Sequence, residues 1–155
     1  MTRPYATTTL VVGYSPDSGG DHALVVAADL ALRLGARVHV VHVITLADYP
    51  IDPDAADWEE QARHHVAQQR DSVRRVLSDR GVAWHYEARR GDPADELCRA
   101  ADEQDALLIV VGTRGEGLRV VVPRLLEPSV SHTVIRHQHR PVLVVPPPAI
   151  VGRTR

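Results

Sequence analysis

The residues best suited to hold a ligand lie in two glycine- or serine-bearing turns. Val111-Gly112-Thr113-Arg114-Gly115-Glu116-Gly117 follows an apolar run, and Pro128-Ser129-Val130-Ser131 opens the next helical segment. Small residues after a buried strand let backbone N–H groups approach a phosphate. A serine at a helix start adds a hydroxyl and the positive end of the helix dipole. The first apolar run ends in a further turn, Gly13-Tyr14-Ser15, where the serine can donate or accept one hydrogen bond. These residue types support binding of a phosphorylated small molecule. They include no acidic pair placed for Mg²⁺ and no general base, so no catalytic residue is assigned.

Other reactive side chains lead elsewhere. His39 and His42 stand three apart on a predicted strand and so point to opposite faces. His64 and His65 are adjacent on a polar helix, and His137 and His139 flank Gln138 at a helix end, where cations suit the dipole. Surface or capping roles are expected for these histidines, and no metal site. Cys98, the single cysteine, lies on an apolar-leaning helix face and reads as a buried, inert thiol. A lone thiol cannot form an internal disulfide, which suits a reducing cytoplasm. All 18 basic residues are Arg, so neither a Schiff-base lysine nor a GxxxxGK[ST] phosphate loop is present.

Composition narrows the class. At 155 residues the chain has the size of one domain. Its 44% hydrophobic and 25% charged residues are those of a globular protein rather than a disordered or disulfide-stapled one. A formal net charge of −2 gives no positive field for nucleic acid. Neither a signal peptide nor an apolar run of membrane-spanning length is read.

Hydrophobic periodicity supplies the elements that must position these turns. Strands are expected at 8–14, 37–44, 82–88, 106–111 and 141–145, and helices at 21–34, 57–80, 93–103 and 129–137. Ser15 to Gly20 reads as a run of breakers. Asp92 and Pro93 suit a helix N-cap and first turn, and Gly35 and Gly81 suit helix ends. Ala106 to Val111 is apolar without alternation, as a central strand covered on both faces should be. On the polar helix, Glu59–Arg63 and Asp71–Arg75 are spaced as i,i+4 ion pairs. The fold class is α/β: a single doubly wound domain, a five-stranded parallel sheet with helices on both faces. Ligands of such sheets bind beyond the carboxyl ends of the strands where strand order reverses. The turns after strands one, two and four are therefore the ones to inspect.

The chain resembles the universal stress protein family from about Thr8 to Pro146, leaving 1–7 and 147–155 as short tails. The matching pieces include the first-strand LVVG, VVHVI at 40–44, GDPADEL at 91–97, LLIVVGTRGEG at 107–117, SVSHTVI at 129–135 and RPVLVVP at 140–146. That resemblance implies a Rossmann-like, adenine nucleotide alpha hydrolase-like domain. It further implies a cytoplasmic stress-response protein, commonly a homodimer, that binds ATP in some members and is not an established enzyme. Mapped onto this sequence, the family's nucleotide site falls on Gly13, Ser15, Val43, Val111, Gly112, Gly115, Ser129, Val130 and Ser131. Val43 would read adenine through its backbone.

Two departures bear on the ligand. The family pattern places nine residues between its second glycine and a Gly-Ser or Gly-Thr pair; here twelve separate Gly115 from Pro128-Ser129. Proline offers no N–H to a phosphate, and Glu127 brings a carboxylate to the same place, with Arg114, Arg119 and Arg124 available to offset it. Ser15 stands where nucleotide-binding members carry an aspartate. AMP therefore suits this site better than ATP, with no metal expected beyond Mg²⁺ accompanying a nucleotide. Orthodox ATP hydrolysis is not expected, although weak hydrolysis stays open. Two rivals remain. Val142 to Val145 would form an uncharged sheet edge, which in the resembling family pairs with its own copy, so a nucleotide-free dimeric adaptor is the alternative function. Ser18-Gly19-Gly20-Asp21 also resembles the loop of PP-loop adenylating enzymes, but His22-Ala23 replace its Asp-Ser end.

Overall fold

The computed structural model describes residues 7–16, 18–44, 56–113 and 130–148. Five strands and four helices alternate. They are β1 (Thr9–Gly13), α1 (Ser18–Leu34), β2 (Arg37–Ile44), α2 (Trp58–Leu77), β3 (Trp84–Arg90), α3 (Pro93–Glu103), β4 (Leu108–Gly112), α4 (Val130–His137) and β5 (Val142–Val145). All strands run parallel in the order β3-β2-β1-β4-β5. The chain moves outward from β1 to β3, then crosses back to β4. Strand order therefore reverses between β1 and β4.

Each face of the sheet carries its own core. Leu10, Val12, Val38, Val40 and Val110 pack with Leu24, Ala27, Ala28 and Ala31 of α1 and Val73 and Leu77 of α2. On the other face, Val11, Val41, Ile109 and Val111 pack with Leu97, Ala100 and Ala101 of α3 and Val134 of α4. Alternate residues of one strand feed the two cores. Val110 and Ile109 are both fully buried, as an unalternating central strand requires.

Local chemistry sets most boundaries. The Ala36 N–H donates to the Ala31 carbonyl across Gly35 at φ 62°, closing α1 with a left-handed glycine. Asp92 accepts the Asp95 N–H at 3.1 Å and Pro93 opens α3. Strand β3 starts and ends two residues later than its pattern suggests. It keeps pairing through Arg89 and Arg90, opposite Val43 and Ile44, because carboxylates neutralise Arg89.

Three expectations need correction. Ser18-Gly19-Gly20 is the first turn of α1, not a run of breakers. Helical glycine is tolerated there because two backbones must touch: a Cβ on Gly20 would lie 1.8 Å from the Ser15 carbonyl oxygen. On α2 the anticipated ion pairs rearrange. Asp71 meets Arg74 at 3.8 Å while Arg75 donates to Ser72 Oγ at 2.9 Å, and Arg63 donates to the main-chain carbonyl of Glu59. His39 and His42 do face opposite sides of the sheet, but both are buried rather than superficial. Each finds a polar partner there, His39 Nε2 with Glu87 at 2.9 Å and His42 Nδ1 with the Tyr86 hydroxyl at 2.9 Å.

Gly20→Ala should therefore destabilise the fold by about 1–3 kcal/mol, the usual cost of forced overpacking. Urea denaturation checks this, and a loss below about 0.5 kcal/mol, the range of neutral surface changes, would contradict the backbone contact.

Candidate functional site

The carboxyl ends of β1, β2 and β4 form the candidate site. Gly13 ends β1 opposite Val41 on one side and Val111 on the other, so both neighbouring strands are in register at the switch point. The Tyr14 N–H donates to the Val41 carbonyl at 2.9 Å and closes the last β1–β2 pair. Ser15 follows, exposed at the turn. The missing side chain of Gly13 leaves room for Leu97 of α3, whose Cδ1 would lie 2.9 Å from an added Cβ.

Strand β2 overshoots β1 at the candidate site. Its peptide groups alternate sides. Arg37 donates to Thr8 on the β1 side, Val38 donates to Ala83 on the β3 side, and the Val41 carbonyl again faces β1. Two residues on, the N–H and C=O of Val43 aim toward β1, beyond its last paired residue. Val43's side chain meanwhile is buried in the α3-side core. A donor and an acceptor on one residue match the edge of a nucleobase.

The β4 end is built differently. Val111 is buried and Gly112 is the last strand residue. An added Cβ at Gly112 would lie 2.8 Å from the Gly19 carbonyl oxygen, so this glycine is required by the first turn of α1. Thr113 donates its N–H to Val145 at 2.9 Å and ties β4 to β5. Val130 and Ser131 open α4. Gly115 and Ser129, with the arginines at 114, 119 and 124, Glu127 and Pro128, lie outside the described residues.

Beside the site, the ends of β2 and β3 carry a charged cluster. Arg89 contacts Glu87 at 2.9 Å, Glu96 at 3.5 Å and also Glu103. The Glu103 hydrogen bond, with Glu87 adding to it, raises the Arg89 pKa further. Burial alone would raise Glu87, but hydrogen bonds from Arg89 and His39 outweigh it and hold its carboxyl below the ordinary 4.5. His39 is pushed below the ordinary 6.5, because burial outweighs the pull of Glu87. Cys98 is half-buried, and burial, reinforced by Asp102, pushes its thiol upward, as suits an inert residue. Among the described residues no group of three or more His, Cys, Asp or Glu side chains is placed to hold a metal ion. Among the same residues, no helix is long and apolar enough to cross a membrane.

A five-stranded parallel sheet whose strand order reverses between β1 and β4 defines a Rossmann-like α/β class of protein. The Universal stress protein family model matches residues 7–146, and the chain belongs to that family. A universal stress protein of Methanocaldococcus jannaschii is 31% identical over 139 residues, covering 86% of this chain and 80% of the relative. One from Mycolicibacterium smegmatis is 32% identical over 139 residues, covering 89% of this chain and 97% of the relative. A universal stress protein solved in complex with cAMP is 26% identical with a TM-score of 0.69, covering 92% of this chain and 99% of that one.

The electrostatics give a signed pH dependence. Folded His39 holds its proton less tightly than the unfolded chain, so stability is full above 6.5 and falls as the pH drops below it. Folded Glu87 likewise contributes stability above 4.5 that is lost at lower pH. Urea midpoints measured between neutral and mildly acidic pH should decline, and His39→Gln should flatten the upper part of that decline. An unchanged slope in His39→Gln would contradict the assignment.

Proposed function

We propose that this chain binds an adenine nucleotide of monophosphate size at the carboxyl ends of β1, β2 and β4, as a sensor rather than an orthodox hydrolase. The observation that carries the reading is the overshoot of β2 past the last β1–β2 pair, where strand alternation turns the N–H and C=O of Val43 toward the β1 side. The similarity to a protein solved with cAMP supports the same ligand class. In this reading Gly13 and Ser15 lie under the ribose and Val43 reads the adenine edge. Val111 and Gly112 border the phosphate, which Gly115, Ser129, Val130 and Ser131 receive. Backbone readout of the base survives the Ser15 departure, whereas a triphosphate would meet Glu127 and Pro128. AMP or cyclic AMP therefore fits better than ATP with Mg²⁺, in a cytoplasmic stress-response setting.

A second reading draws on the sheet edge. Among the described residues β5 pairs only with β4, and its Val144 is 37% exposed with Val142 and Leu143 half-buried. No charge interrupts Val142 to Val145, whereas the opposite edge, β3, carries His85, Glu87, Arg89 and Arg90. We infer a homodimer formed through β5, which would also serve a nucleotide-free adaptor acting through a protein partner.

A thermal-shift titration separates the two functions. AMP or cyclic AMP at 100-fold its dissociation constant should add about 2.7 kcal/mol, several degrees for a domain of this size, with ATP giving less. Ser15→Asp should tighten nucleotide binding about tenfold by supplying a charged acceptor. No shift with any nucleotide at millimolar concentration would leave the adaptor. By light scattering the wild type should be a dimer and Val144→Lys a monomer; a dimeric Val144→Lys would overturn the β5 interface.

A further inference from the structure

A second concavity lies on the sheet face that α1 and α2 cover. It is a cleft of about 410 Å³ between the β1–α1 turn and α2. Tyr14, Pro16 and Asp21 form one wall, and Gln69, Ser72 and Arg75 the other. Its volume suits a small ligand. It shares with the nucleotide site only the stretch around Ser15, and neither Val43 nor Gly112 lines it.

The walls carry chemistry that the fold does not use. On α2 the buried stripe runs Gln69, Val73, Leu77, so an amide occupies a position patterned for an apolar side chain. Gln69 is 91% buried, at 9% exposure, and its Oε1 has no hydrogen-bond partner. A buried acceptor left unmade costs stability, and natural structures keep few of them. Among the described residues, neither Asp21 on the α1 wall nor Arg75 on the α2 wall makes an ion pair. Asp21 receives only the Tyr14 hydroxyl at 3.5 Å, and Arg75 donates only to Ser72 Oγ at 2.9 Å. The i,i+4 partner available to Arg75, Asp71, is instead in contact with Arg74.

Thus one wall presents an anion, and the other a cation and an unmatched acceptor. We propose that this cleft binds a small zwitterion of the amino-acid class. The ligand's ammonium donates to Asp21 and to Gln69 Oε1, and its carboxylate takes the Arg75 guanidinium. A planar guanidinium suits a carboxylate well because its N–H groups can engage both oxygens. A neutral polyol would leave both charges uncompensated, and a nucleotide would set its phosphate against Asp21.

Thermal-shift titration of the full chain tests this, using the proteinogenic amino acids singly at millimolar concentration, with glycerol, glucose and AMP in parallel. At least one amino acid should raise the melting temperature. Asp21→Asn and Arg75→Met, both at exposed positions, should each weaken that ligand about tenfold, the scale of one charge-assisted contact. Gln69→Leu should abolish the shift, while the ligand-free variant melts no lower than the wild type because the unmade acceptor is gone. The proposal is overturned if no amino acid shifts the wild type, if Asp21→Asn and Arg75→Met leave the ligand's affinity unchanged, or if only polyols respond. The AMP arm reports on the switch-point site alone, so failure of either reading is visible without the other.

Discussion

The structure depends on one close approach of backbones at the switch point. Helix α1 begins so near the ends of β1 and β4 that the Ser15 carbonyl and Gly20, and the Gly19 carbonyl and Gly112, leave no room for a Cβ. These contacts join the β1–α1 turn and the first turn of α1 to the end of β4, which is distant in sequence. They seat the N-terminus of a 17-residue helix beside the carboxyl ends of the central strands. Its positive dipole end and the strand ends then share one small region, as anionic ligands of such folds require. A side chain at either glycine would push α1 outward and separate it from the site. Glycine at these positions serves protein packing, so in the proposed reading ligand recognition falls to the peptide groups beyond β1.

Polar groups inside the sheet follow from the same economy of space. Strand β2 is covered on both faces yet carries His39 and His42, each with a partner on β3. β3 can place Glu87 and Arg89 beside a core because Glu96 and Glu103 of α3 complete the charge balance. Just before β5, Arg140 likewise joins Asp102 and the Ala106 carbonyl. With arginine as the sole long cation, planar multidentate contacts replace what lysine would do as a point charge. Tyr86, bound to His42, and Tyr14, edge-on to the same ring, extend this polar seam toward the α2 cleft.

The fold was legible because strand and helix periods alternate cleanly and the caps are strong. Arg37–Ile44 and Pro93–Glu103 have the expected bounds, and β4 shows the two-sided burial that its unbroken apolar run implies. Of the candidate site, the three strand-end turns were legible from topology, since crossover order alone places the switch point. What escaped was tertiary. Gly19 and Gly20 read as breakers, because helical glycine makes sense only once Ser15 and Gly112 are known to press on it. His39 and His42 read as surface residues, because Glu87 and Tyr86 lie more than forty positions away. Gln69 left a faint signal, a polar residue at i relative to Val73 and Leu77. Arg75 was assigned to Asp71 by spacing alone, and only the geometry of α2 shows that Arg74 takes that carboxylate.

In the proposed reading, the overshoot of β2 past β1 creates an adenine-reading edge at the switch point. Backbone amide NMR of the isotopically labelled chain, recorded with and without AMP, tests it most directly. The amides of Gly13, Ser15, Val43 and Gly112 should move on addition of AMP, while those of β3 should stay in place. Unmoved spectra at millimolar AMP, or changes confined to residues away from the β1, β2 and β4 ends, would contradict it.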